Sequence, residues 1–184
     1  MNHFQFFTES IKNLKTTGTV VQSSRFLCQK MSEQIPAHSD AVVVELGAGD
    51  GRITKHILKR LGKHGRLYSF EINEQFCEQL KKIKDPRFHL MPYSAENLIP
   101  EMHTHGVHEV NYVVSALPFV VLPPELATSI IKNARDILSS NGLYIQMHYN
   151  MMEKKRYLKV FGNCDMHFVP INIPPAWVLV CKKS

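Results

Sequence analysis

The chain has 184 residues, 44% of them hydrophobic, enough for one domain with a sizeable core, and no low-complexity tract, repeat or linker divides it. A formal net charge of +6 favours an anionic partner, nucleic acid or an anionic membrane surface, without choosing between them. Composition also argues against several classes. The longest apolar region, Val110 to Leu122, is short for a bilayer span and contains Pro118; the first residues lack the apolar run of a secretory leader; and Cys28, Cys77, Cys164 and Cys181 show no C-x-x-C spacing that would suggest a zinc site or a disulfide framework.

In chain order, residues 1 to 15 read as a helix with Phe4, Phe7, Ile11 and Leu14 on one side, broadened by Phe6, and Lys12 and Lys15 toward the other. Such a stripe either packs on the core or lies weakly and reversibly in the interface of an anionic membrane. Gly18 breaks this helix. Ser23 or Ser24 can cap the next, whose apolar face is Phe26, Leu27, Met31 and Ile35. Arg25 is an exposed arginine or a phosphate contact, which guanidinium geometry suits. Residues 36 to 40 form a loop.

The stretch from Val42 to Gly51 carries the chemistry. Residues 41 to 46 are apolar and β-branched except for Glu45, the pattern of a buried strand. Gly47, Gly49 and Gly51 alternate behind it and permit a sharp turn that a ligand can approach closely. Ile53, Ile57, Leu58 and Leu61 then recur at helical spacing, and a second strand from Leu67 to Phe70 ends at Glu71. A strand, glycine turn, helix and strand with an acid at its end is a unit that holds ribose hydroxyls outside the carboxyl edge of a parallel sheet. It predicts a nucleoside-containing cofactor. Further on, the pattern predicts a helix over 73–83, a third strand over 88–91, a fourth over 110–114, a helix from Pro123, a fifth strand over 143–147, a sixth strand region drawn from 157–161 and 165–169, and a last strand after Pro175. His103, His105 and His108 cluster around Gly106 and read as an exposed polar loop, so no metal site is predicted.

The spacing Glu45-x-Gly47-x-Gly49-x-Gly51 resembles motif I of class I S-adenosylmethionine-dependent methyltransferases. The resemblance implies a Rossmann-like α/β fold: a seven-stranded, mostly parallel sheet with helices on both faces and an antiparallel last strand. It implies that S-adenosylmethionine lies with its methionine part along Glu45, Gly47, Ala48, Gly49 and Gly51, its ribose on Glu71, and its far end near Ile72, Ser94, Ala95 and Glu96. The Asp that many of these enzymes place on adenine is absent from Tyr93-Ser94-Ala95, which leaves Ser94, Glu96 or backbone groups for that contact.

Four weaker blocks resemble the bacterial phosphatidylethanolamine N-methyltransferases: Thr16 to Arg25, Ser115-Ala116-Leu117-Pro118-Phe119, Gln146 with Tyr149, and Asn172 to Val178. They imply residues 1–35 as a helical cap belonging to the same domain and 36–184 as the methyltransferase domain. They also imply Arg25, Pro118, Phe119 and Tyr149 as substrate contacts, with Tyr149, Ser115 or His148 orienting the amine and assisting its deprotonation. The setting implied is cytoplasmic, with weak peripheral association at the inner membrane face. Two rival readings stand beside it. A nucleic-acid adenine methyltransferase is permitted by charge but has Ala116 where its motif needs a hydrogen-bonding side chain. A noncatalytic cofactor- or membrane-binding protein is suggested by the absent Asp.

Overall fold

The computed structural model describes residues 23–184; the helix expected over 1–15 and the residues before Ser23 lie outside that range. The first described helix, α1 (Arg25–Ser32), is capped by Ser24, whose hydroxyl accepts from the Leu27 amide at 3.2 Å. Then follow β1 (Val42–Leu46), α2 (Arg52–Arg60), β2 (Arg66–Phe70), α3 (Glu74–Leu80) and β3 (Phe88–Met91). A 3-10 turn (Ala95–Asn97) leads into α4 (Leu98–Thr104), and β4 (Val110–Ser115) into a second 3-10 turn (Phe119–Val121). The chain closes with α5 (Pro124–Ile137), β5 (Leu138–His148), α6 (Lys154–Phe161), β6 (Asp165–Val169) and β7 (Ala176–Lys182).

The strands form one sheet in the order β3-β2-β1-β4-β5-β7-β6. All neighbours are parallel except β7, which runs antiparallel between β5 and β6. The order reverses between β1 and β4, so the carboxyl ends of those two strands open the crevice in which such sheets bind ligands. Both faces are covered. On one, Ile130, Ile131, Ala134 and Ile137 of α5 join Tyr144, Tyr157 and Phe161. On the other, Leu27, Met31 and Ile35 pack with Ile53, Ile57 and Leu58 of α2 against Val43, Val114 and Ile145. This packing supports our proposal that residues 23–35 belong to the same domain as 36–184.

The expected Rossmann-like architecture is therefore present, with three changes of detail. Residues 157–161 are helical, part of α6. Tyr157 and Phe161, four apart, are the buried residues of that helix, and Gly162 ends it with a left-handed φ of 77°. β5 starts at Leu138 rather than at 143, so residues 139–142 belong to the strand, with a register shift between Val110 and Tyr112. His103 lies at the end of α4 rather than in a loop, its ring 4.7 Å from that of His108, and no His/Cys/Asp/Glu cluster among the described residues could hold a metal.

Candidate cofactor and acceptor site

Glu45 sits in the middle of the sheet, opposite Ser69 of β2 and Val114 of β4. A carboxylate there must find partners or lose its charge. One oxygen accepts from Thr54 Oγ1 at 2.7 Å and Ser69 Oγ at 2.6 Å; the other, Oε1, is buried without a partner. Burial outweighs those two bonds and pushes the carboxyl up to about 7, with Glu71 and Asp50 adding like-charge repulsion. Thr54 and Ser69 were missed in the sequence. Their signal is a small hydroxyl on an otherwise apolar helix face or strand beside a buried acid.

The turn after β1 is held by Gly47 and Ala48 amides donating to the Phe70 carbonyl at 2.9 and 3.1 Å. Gly47 has φ +78°, a conformation that favours glycine, while a Cβ there would meet Leu117 Cδ2 at 2.9 Å and ask that flexible side chain to shift. Glu71, buried at the end of β2, ties the turn together: Oε2 accepts from the Gly49 amide and Oε1 from the Asn73 amide, both at 2.8 Å. Each carboxylate oxygen keeps a second acceptor direction.

Beside these lies a small cleft of about 20 Å³ lined by Gly47, Phe70, Glu71, Ile72, Tyr93, Ala95 and Leu117. The structure thus brings together Gly47, Glu71, Ile72 and Ala95 as the sequence placed them, and adds Phe70, Tyr93 and Leu117. Ser94 is engaged locally. Its hydroxyl caps the 3-10 turn, accepting from the Glu96 amide at 3.4 Å, and lies 3.3 Å from Glu96 Oε2. The partly exposed Tyr93 ring offers a flat apolar surface at the same mouth, which fits a heteroaromatic ring.

The cradle therefore fits S-adenosylmethionine on three counts. Glu45, buried beneath the turn rather than lining the cleft, keeps Oε1 without a partner, the glycine turn leaves room for close approach, and Glu71 has acceptor directions left for paired hydroxyls.

The residues expected on the acceptor side lie at the ends of β4 and β5. Ser115 and Gln146 are cross-strand partners, both fully buried. Gln146 accepts from Tyr144 Oη at 2.8 Å and donates to the carbonyls of Leu117 and Met147 at 3.1 and 2.8 Å, which fixes the loop after β4 to the end of β5. His148 follows, 5% exposed, with Nε2 2.8 Å from Tyr157 Oη of α6. Burial and the nearby Arg156 push its imidazolium down to about 4, so the ring is neutral in ordinary buffers. Tyr149 stands 41% exposed at the opening, its phenol pushed up by partial burial. Pro118 begins the second 3-10 turn. Phe119, expected at the acceptor, is instead buried in the core, because the turn directs its ring inward and Val120 outward. Arg25 is exposed at the start of α1, its guanidinium 4.8 Å from the Phe26 ring.

Residues 26–156 match the sequence profile of the family described as Fibrillarin. Over 182 residues the chain is 27% identical to the ornithine lipid N-methyltransferase of Singulisphaera acidiphila, covering 97% of this chain and 95% of that one. It is 25% identical over 109 residues to the fibrillarin-like rRNA/tRNA 2'-O-methyltransferase of Aeropyrum pernix, spanning 59% of this chain and only 45% of that protein's length. In structure it resembles 1,6-didemethyltoxoflavin-N1-methyltransferase of Burkholderia thailandensis, solved with S-adenosylhomocysteine bound. The TM-score is 0.75 over 99% of this chain and 89% of the other, at 13% identity.

Proposed function

This chain belongs to the Fibrillarin family and is an S-adenosylmethionine-dependent methyltransferase, and on that premise we propose that its acceptor is the primary amine of a membrane-lipid headgroup, the ethanolamine of phospholipids first. The observation that carries this reading is end-to-end similarity to a lipid N-methyltransferase, set against similarity to an RNA methyltransferase over 59% of the chain. The protein is read as cytoplasmic and peripheral at the inner membrane face; no helix among the described residues is long and apolar enough to cross a membrane.

In this reading Glu45, the Gly47-Ala48-Gly49-Gly51 turn, Glu71 and Ile72 hold the cofactor, with Ala95, Glu96, Ser94 and Tyr93 around its adenine. When bound, the cofactor supplies a methyl group activated by sulfonium. The residues on the β4–β5 side then align the attacking nitrogen, and alignment of this kind contributes several of the roughly 7–11 kcal/mol available from proximity. An ethanolamine nitrogen must shed a proton before attack. His148, neutral and with little affinity for a proton, serves to accept a hydrogen bond rather than to store the proton, which passes to water at the opening beside Tyr149. Ser115 lines the same edge, and Arg25 meets headgroup phosphate.

Incubating the full chain with methyl-labelled S-adenosylmethionine, mixed vesicles and total RNA tests the proposal. Vesicles in one arm carry phosphatidylethanolamine, in the other an ornithine lipid. Label in phosphatidylethanolamine products is the expected result. Label only in ornithine lipid moves the acceptor within the lipid class, and label only in RNA overturns the lipid reading.

A further inference from the structure

The exposed apolar side chains are not scattered. Among the described residues, every strongly exposed large hydrophobe except Leu158 lies at the carboxyl edge of the sheet or at the start of α1, around the mouth of the site. Met152 and Ile173 are the extreme cases, each 83% exposed; Ile171 is 62% exposed.

These positions are held by structure. In the loop between β6 and β7, Asn172 is 1% exposed and accepts from the Ser24 amide at 2.9 Å while donating to the Pro174 carbonyl at 2.7 Å. Ser24 Oγ donates to the Ile171 carbonyl at 2.9 Å. One buried asparagine thus fixes the backbone so that its two isoleucine neighbours face water. After β5, Asn150 Oδ1 accepts from the Met152 amide at 3.1 Å and displays both methionines. β5 and β7 are paired as far as His148 and Trp177, so the two loops leave the sheet side by side. Between the β6–β7 loop and α1 lies an open groove of about 560 Å³ lined by Arg25, Phe26, Ile171 and Ile173 among others.

Charge selects the occupant. Lys154 and Lys155 follow the methionine pair after Glu153, whose charge is paired with Arg156, and Arg25 flanks the isoleucines; among the described residues, none of Arg25, Lys154 and Lys155 forms an ion pair. Apolar tips rimmed by cations outside any ion pair suit the interface of a bilayer that contains anionic lipid, where side chains enter the acyl boundary and cations meet phosphate.

We propose that the molecule docks on an anionic bilayer with the carboxyl edge of its sheet facing down, inserting Met152 and the Ile171–Ile173 loop and resting Arg25, Lys154 and Lys155 on lipid phosphates. The inference rests on the lipid-acceptor reading, and it explains how an amine buried among headgroups reaches a site whose mouth opens at that edge.

The chain's single tryptophan, Trp177, sits at the start of β7 with its ring 4.7 Å from Phe168, behind the inserting loop. Its emission reports docking on vesicles of phosphatidylethanolamine and phosphatidylglycerol, alongside flotation of the full-length protein. The double variant Met152→Asp/Ile173→Asp is expected to weaken vesicle partition more than 10-fold, with melting temperature unchanged because both side chains lie in water. Leu158→Asp, away from this edge, is expected to change partition less than 2-fold, and 0.5 M salt to weaken wild-type binding.

Partition equal to wild type in the double variant overturns the proposal. So does a wild-type dimer that the double variant splits, since the tips would then join two copies. Transfer to a short-chain, water-soluble phosphatidylethanolamine separates the two claims. If wild type and double variant methylate it equally while only wild type binds vesicles, both stand. If wild type binds vesicles but methylates no lipid, the acceptor reading fails alone. If it methylates the soluble lipid but floats with no vesicle, docking fails alone.

Discussion

Two buried residues of the site carry opposite pH signatures. Glu45 is held at about 7 in the fold against an ordinary 4.5. The folded state keeps that proton more tightly, so stability is intact below pH 4.5 and falls as pH rises to 7. His148 is held at about 4 against 6.5. The unfolded state takes up its proton first, so the histidine's contribution is present above pH 6.5 and lost as pH falls toward 4. Each amounts to on the order of 3 kcal/mol, and over roughly pH 4.5 to 6.5 they oppose one another. Wild-type unfolding free energy is therefore expected to be nearly flat there. Glu45→Gln, left with the histidine, should gain stability as pH rises; His148→Gln, left with the acid, should lose it. Urea denaturation of the three proteins at pH 4.5, 5.5 and 6.5 measures the slopes, and parallel curves would show that neither group titrates as its burial requires. At this scale the sequence was informative about identity and silent about state. Glu45 and Glu71 stand out by their spacing from the glycines. That Glu45 leaves one oxygen orphaned, or that Ser94 is occupied with its own 3-10 turn, depends on hydroxyls and amides brought in from elsewhere in the chain.

Among the elements, α6 shows why local pattern misleads. Lys154 to Phe161 is short and contains Tyr157, Val160 and Phe161, residue types that strands favour, and a run of eight residues barely shows a period. What settles it is tertiary: Tyr157 and Phe161 stack on Tyr144 of β5 with ring centres 5.8 and 5.4 Å away, which a helix presents four residues apart. Longer elements with a wide apolar face, α2 and α5, were readable because their periodicity runs over nine and fourteen residues. The misread helix also supplies a strut to β5. Tyr157 Oη is 2.8 Å from His148 Nε2, tying α6 to the last residue of β5. Tyr157→Phe keeps the ring packing and removes this bond, leaving a buried imidazole nitrogen unpaired, which costs about 1–3 kcal/mol. We expect that loss in urea denaturation. We also expect a fall in methyl-transfer kcat at temperatures where the variant is fully folded, with the KM for S-adenosylmethionine unchanged. A variant that loses stability but keeps kcat would make Tyr157 a packing residue only.

For the whole molecule, the chain's order of apolar strands and amphipathic helices already implied a doubly covered sheet, and β7 between β5 and β6 completes the arrangement that the resemblance to class I methyltransferases implied. The cofactor cleft could not be seen in advance as a volume, because Tyr93, Leu117 and Phe70 converge on it from the ends of three different strands. Its energetic link to the fold is Glu71, which accepts the amides of Gly49 and Asn73 and so holds the glycine turn against β2 and the start of α3. A ligand that binds only the folded state adds RT ln(1 + [L]/Kd), about 2.7 kcal/mol at a hundred times Kd. For a domain of this size that corresponds to a rise of roughly 5–11 °C in Tm. S-adenosylhomocysteine at that excess is expected to raise the wild-type Tm by this amount. Glu71→Ala removes the acceptor of two amides and the expected ribose contact together, so at the same ligand concentration its Tm should rise by less than a quarter of the wild-type shift. Glu71→Gln keeps an acceptor for only one of the two amides, so it should recover part of the intrinsic Tm but little of the ligand-induced rise. If the Gln variant responds to ligand as wild type does, Glu71 is a brace for the turn and the ribose is held elsewhere.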